Sequence, residues 1–277
     1  MSRIEKALEK AIQMRSEGLP AVEEKKPAFS EAKPSTLTPS RVVAIDTANR
    51  LLTTINDPGS FVSEQYRKLK SGLVRIANEG AFHNLIMVTS AIAGEGKSLT
   101  AVNLALSMAK GYNLTVLLID ADFRRPNIDK LLGFEASFGL ADCLLEGAAV
   151  SDAIVKTDIE KLSVIPAGRV VENPLELFTS KRMQTFMKEI KHRYHDRYVI
   201  LDTPPLLPFA ETRCLAALVD GIVFVIHEGT TPQESILEAN ELLKGCRMLG
   251  VVLNDSTSIS REHDHYNTYY GMDRTRG

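Results

Sequence analysis

Eight consecutive residues, Ala91-Ile92-Ala93-Gly94-Glu95-Gly96-Lys97-Ser98, have the composition of a phosphate-binding loop. Gly94 and Gly96 let backbone N–H groups fold around phosphate oxygens, Lys97 adds a mobile cation, and the Ser98 hydroxyl suits a divalent metal. The apolar run Leu85-Ile86-Met87-Val88 precedes the loop, and Leu99-Thr100-Ala101-Val102-Asn103-Leu104-Ala105 follows it with a helical pattern. That order is what the loop needs, because the N-terminus of the new helix supplies part of the positive field. The chemistry implied is binding of a nucleoside triphosphate, with Ala93, Gly94, Glu95, Gly96, Lys97, Ser98 and Leu99 around its phosphates. Ala91 stands where the common pattern has its first glycine.

Three further acids end apolar runs: Asp120 and Asp122 in Leu117-Leu118-Ile119-Asp120-Ala121-Asp122, and Asp202 in Val199-Ile200-Leu201-Asp202. A carboxylate at a strand end beside a phosphate loop can hold Mg2+ or its waters, because the ion must bridge phosphate oxygens and offset their charge. Taken singly, each acid is equally a turn or N-cap residue. The three gain meaning together with Lys97 and Ser98.

The elements that must position these groups alternate along the chain. Short apolar runs at 83–89, 114–120, 162–166, 198–202, 221–227 and 248–254 read as strands, separated by helical patterns at 97–110, 181–193 and 233–244. Near-continuous apolar strands need cover on both sides, so the expectation is an α/β fold: a mostly parallel sheet with helices on both faces. Ligands in such sheets lie at the carboxyl ends of strands, where the loop, Asp120 and Asp202 all fall. With 277 residues, 44% of them hydrophobic, the chain can bury one such core.

Around that domain, expected over 42–254, the sequence is different in kind. Residues 1–17 place Ile4, Ala7, Leu8, Ala11 and Ile12 on one face of an amphipathic helix. Residues 18–41 carry Pro20, Pro27, Pro34 and Pro39 among polar residues and read as a flexible linker, and the polar 255–277 stretch reads as a disordered tail. A net charge of −2 gives no general attraction to nucleic acid, so no nucleic-acid partner is expected. No apolar run reaches the roughly 18 residues needed to span a bilayer, and the three cysteines sit far apart, so a cytoplasmic location is expected.

These motifs, in this order, resemble those of the bacterial tyrosine kinases, P-loop proteins unrelated in fold to eukaryotic protein kinases. The likeness rests on Ala91 to Ser98, on Ile119-Asp120-Ala121-Asp122-Phe123-Arg124-Arg125-Pro126 and on Leu201-Asp202-Thr203-Pro204-Pro205. The opening Met1-Ser2-Arg3-Ile4-Glu5-Lys6-Ala7-Leu8 looks like the exosortase-associated branch, linked to exopolysaccharide export. The resemblance implies transfer of the γ-phosphoryl group of ATP, with Mg2+, to tyrosines of neighbouring copies. Lys97 would neutralise the β and γ phosphates; Ser98, Asp122 and Asp202 would serve the metal. Either Asp120 or Asp122 would accept the phenol proton, Asp120 being preferred, and Arg124 would steady transition-state charge.

Tyr266, Tyr269 and Tyr270 match the family's C-terminal tyrosine cluster as autophosphorylation sites. Glu64, Arg67 and Lys70 match its subunit-contact helix, with Lys70 in place of an arginine; pairing of Glu64 with Arg67 or Lys68 inside the helix is the other reading. A separate membrane polysaccharide co-polymerase, of the chain-length-determinant type, would recruit the protein to the inner membrane face and activate it. Two competing readings are a non-catalytic ATP-gated scaffold of the polysaccharide machine and a partitioning-type ATPase. Against the latter, Ile92 occupies the position of its signature lysine.

Overall fold

The computed structural model describes residues 42–77, 83–111, 114–193 and 197–256. The amphipathic 1–17 segment, the 18–41 linker and the tail bearing Tyr266, Tyr269 and Tyr270 lie outside the described residues.

Eight strands form one sheet: β1 (Val42–Val43), β2 (Leu85–Ser90), β3 (Thr115–Asp120), β4 (Val155–Thr157), β5 (Leu162–Ile165), β6 (Arg197–Asp202), β7 (Gly221–His227) and β8 (Met248–Asn254). Their spatial order is β1-β4-β5-β3-β6-β2-β7-β8, and every pairing is parallel except β4 against β5. The expected α/β architecture is therefore the one observed. Strands β1 and β4 were not anticipated, because two or three residues are too few to show a periodicity.

The central strands β2, β3 and β6 are buried throughout except at Thr115 and Arg197. Successive side chains go to opposite faces. Leu85, Met87, Leu117, Ile119, Val199 and Leu201 thus enter one core, whereas Ile86, Val88, Val116, Leu118, Tyr198 and Ile200 enter the other. Each large aliphatic side chain so buried contributes roughly 1.5–3 kcal/mol. Helices must cover both faces. On the first, α8 (Lys181–Arg193) supplies Met183, Phe186, Met187 and Ile190. On the second, α3 (Lys97–Ala109) supplies Ala101, Val102, Leu104, Ala105 and Met108, and α2 (Phe61–Ala77) adds Leu73 and Ala77.

The same alternation fixes the acids. Asp120 continues the Val116, Leu118 series and Asp202 the Tyr198, Ile200 series, so both fall on the face that α3 covers. They are also register partners across β3 and β6. Because α3 begins at Lys97, the sheet delivers two carboxylates beneath the end of the phosphate loop.

Candidate active site at the phosphate loop

Gly94 and Gly96 hold φ of +87° and +85°, a region glycine enters without steric cost. At Gly96 a second constraint applies: a Cβ would stand 2.2 Å from Nδ2 of Asn254. That amide donates to the Glu95 carbonyl at 3.1 Å, fastening the loop to the end of β8. Glu95 itself is 1% exposed, and its carboxylate accepts the Ile92 N–H at 2.6 Å and the Thr231 hydroxyl. The Glu95 side chain is therefore a brace inside the loop and makes no part of the cleft wall. Sequence reasoning missed Thr231 and Asn254, since both lie more than 130 positions from Glu95.

Beside the loop opens a cleft of about 620 Å3. One wall is Gly94, Gly96, Lys97, Ser98 and Leu99; the other is Arg124, Arg125, Pro126, Asn127 and Lys130. Of the expected phosphate-loop residues, Ala93 and Glu95 do not line it.

Lys97 Nζ stands 3.0 Å from Asp122 Oδ2. Burial disfavours the Lys97 ammonium, but Asp202, Asp122 and Asp120 outweigh it and raise its pKa above the ordinary lysine value. The other Asp122 oxygen accepts the Arg125 N–H at 3.0 Å. Asp120 accepts three backbone N–H bonds, from Asp122 at 3.0 Å, Asn127 at 3.0 Å and Ile128 at 3.1 Å, which shape the segment leading into α4 (Ile128–Leu132). Even so, burial and the neighbouring Asp202 charge push its pKa upward. A carboxylate has about four lone-pair sites, so one is left over.

Asp202 is in the opposite situation. It is fully buried, and neither side-chain oxygen meets a hydrogen-bond donor at bonding distance. Burial raises its pKa, with the Lys97 charge offsetting part of the rise. An orphaned buried carboxylate costs several kcal/mol unless something compensates it. A divalent cation brought in with the phosphates would do so, and the donor set of hydroxyl and carboxylates is of the hard oxygen type that Mg2+ requires. The residues present thus fit the metal expected from the sequence.

The segment after Asp202 is pinned to the end of β2. Thr203 donates its N–H and hydroxyl to the Val88 carbonyl at 3.2 and 3.1 Å, and Leu206 donates to the Ser90 carbonyl at 2.8 Å. It leads into α9 (Ala210–Ala216), whose Glu211, 2% exposed, receives Arg124 Nε at 2.6 Å. The Arg124 guanidinium also lies 4.3 Å over the Phe209 ring, a favourable cation–π geometry. Phe123 stacks on Phe178 at 5.0 Å and anchors the same segment. Glu211 and Phe209 carried no motif of their own and became legible only through this contact.

Glu64, Arg67 and Lys70 lie apart, on α2. Arg67 pairs with Glu64 at 2.5 Å and donates to the Pro58 carbonyl at 2.7 Å, and Lys70 reaches the Ser107 carbonyl at 3.4 Å. The intrahelical pairing is thus present within one chain.

Parallel strands ending in a phosphate loop, with acids at the adjacent strand ends and an N-terminal helix turn above them, define a P-loop nucleotide-binding domain. Residues 83–238 match the family model described as an AAA domain. Over 221 residues the chain is 37% identical to the tyrosine-protein kinase YwqD of Bacillus subtilis, covering 78% of this chain and 90% of that one. The kinase domain of the Escherichia coli tyrosine kinase ETK superposes with a TM-score of 0.67 at 27% identity, covering 73% and 79% of the two chains. The succinoglycan biosynthesis transport protein ExoP of Rhizobium meliloti is 30% identical over 228 residues, 80% of this chain and 28% of that protein. The chain belongs to the bacterial tyrosine-protein kinases.

Proposed function

We propose that this protein is an ATP- and Mg2+-dependent tyrosine autokinase that phosphorylates Tyr266, Tyr269 and Tyr270 on neighbouring copies and thereby regulates exopolysaccharide synthesis and export. The observation that carries the reading is the convergence of Lys97, Ser98, Asp120, Asp122 and Asp202 under one phosphate loop. The similarity to tyrosine kinases and to a succinoglycan transport protein supports both the acceptor and the setting.

Loop amides and Lys97 receive the phosphates, Lys97 exchanging its Asp122 contact for phosphate oxygens. Ser98, Asp122 and Asp202 would hold Mg2+, which would supply neutralising charge to the bound phosphates. The tyrosine oxygen bonds to the γ-phosphorus as that phosphorus parts from the bridging oxygen of ADP. A phenol of pKa about 10 must lose its proton to react. Asp120, with its raised pKa and spare lone pair, accepts it. Arg124, aimed by Glu211 and Phe209, stabilises the equatorial charge. Glu211→Gln should then lower kcat about tenfold with nucleotide affinity unchanged, because it loosens the aim of Arg124 without touching the loop. Equal losses in kcat and ADP affinity would instead place Arg124 on the bound nucleotide.

No helix among the described residues is long and apolar enough to cross a membrane. Recruitment and activation are assigned to a separate membrane co-polymerase of the polysaccharide machine. Contact between copies through Glu64, Arg67 and Lys70 would have to exchange the pairs those residues make within one chain.

The test is phosphosite mass spectrometry after incubation with Mg2+ and ATP, with and without the cytoplasmic segment of a candidate co-polymerase. Replacing Tyr266, Tyr269 and Tyr270 by Phe should remove most label and leave ATP binding intact. Undiminished label would move the acceptors elsewhere; ATP binding with no tyrosine label in the wild type would favour the non-catalytic scaffold.

A further inference from the structure

The second wall of the cleft has a charge that the nucleotide does not account for. In the proposed mechanism the phosphates are met by the loop amides, by Lys97 and by Arg124, which Glu211 aims. Arg125 and Lys130 also line the cleft, yet both side chains are exposed, and neither forms an ion pair among the described residues. Their backbone is nonetheless held in place: Asp122 accepts the Arg125 N–H, and Asp120 accepts those of Asn127 and Ile128 at the entry to α4, which carries Lys130. Two exposed, unpaired cations on a held segment thus line the cleft beside the phosphate loop.

The chain carries a matching sequence. Between Arg261 and Arg274 it has three acids, Glu262, Asp264 and Asp273, and no lysine or arginine, and Tyr266, Tyr269 and Tyr270 lie among the acids. We propose that Arg125 and Lys130 form an acceptor-docking subsite that draws in acidic residues flanking the tyrosine to be phosphorylated, its occupant being the 262–273 stretch of a second copy. The inference deepens the kinase reading and rests on it for the reaction, while the docking itself is measurable without transfer.

The experiment uses the full chain with Tyr266, Tyr269 and Tyr270 changed to Phe, loaded with ADP and Mg2+. Fluorescence anisotropy follows a labelled 262–273 peptide and a second peptide carrying Glu262→Gln, Asp264→Asn and Asp273→Asn. Exposed ion pairs are individually weak, so neutralising either side should weaken binding about tenfold, and more at low salt. Combining the neutral peptide with Arg125→Ala/Lys130→Ala should give no further loss, since the two changes remove the same contacts. ADP affinity should stay within about twofold of the parent, as both cations lie outside the phosphate loop. Equal binding of the two peptides by the parent protein would overturn the subsite. A large fall in ADP affinity in the double variant would also overturn it, by assigning both cations to the nucleotide. Charge-dependent peptide binding by a wild-type chain that transfers no phosphate would support the subsite and remove the kinase reading.

Discussion

Lys97→Met should abolish tyrosine phosphorylation, with a fall in rate on the order of 10^3-fold, and should also destabilise the protein without nucleotide. The rate effect follows, in the proposed mechanism, from removing the cation that meets the β and γ phosphates, where charge develops in the transition state. The stability effect comes from what remains. Asp122, Asp202 and Asp120 all act on Lys97, and with it gone three buried carboxylates face one another. Removing one partner of a buried pair typically costs about 3–5 kcal/mol, although proton uptake by the acids limits the loss. The sign with pH follows. Without the Lys97 charge the already raised folded-state pKa of Asp202 rises further, so the destabilisation is small near pH 4 and grows toward neutral pH. Thermal melts at pH 5 and 8 beside phosphotyrosine blots would check both effects. Wild-type activity in this variant would refute the site assignment.

Asp202→Asn should be equally inactive and yet melt higher than the parent in the absence of nucleotide. The native carboxylate is fully buried with neither oxygen hydrogen-bonded, and burial raises its pKa. An acid whose folded pKa is raised favours the fold below the unfolded value near pH 4 and loses that contribution as pH rises through the folded value. A neutral amide avoids this loss and can donate toward Asp120, its register partner on β3. A gain of about 1 kcal/mol would raise Tm by about 2–4 °C in a domain of this size. Mg2+ with ATP should reverse the ranking, because the parent gains a metal ligand that the variant lacks. Equal melting of the two proteins at pH 8 would mean that Asp202 is satisfied in the resting state. The opposite stability shifts of two inactive variants separate an electrostatic origin from a general loss of structure.

The residues proposed to act on phosphate were legible in the sequence because their chemistry is local. Gly94, Gly96, Lys97 and Ser98 work through consecutive backbone and adjacent side chains, and a strand before them and a helix after them follow from apolar periodicity. The ends of β3 and β6 were equally plain, since each apolar run stops at an acid. Even the sharing of one face by Asp120 and Asp202 follows from a period of two once the strands are paired.

Tertiary structure alone decided how those groups are held and which are occupied. The sequence ranked Glu95 with the phosphate ligands, but the fold turns its side chain inward to Ile92 and Thr231. The sequence left either Asp120 or Asp122 as the base, with Asp120 preferred; in the fold three amides hold the first and Lys97 the second, leaving Asp202 as the acid without a donor. Arg124 was a motif residue without an orientation until α9 brought Glu211 against it. Short strands β1 and β4 escaped notice because two or three residues carry no pattern. Composition and periodicity record what a residue does with its chain neighbours, so they determined the loop, the strands and the acids. The partners of Glu95, Arg124 and Lys97 are 136, 87 and 25 positions away, and only the packing of strands and helices brings such pairs within bonding distance.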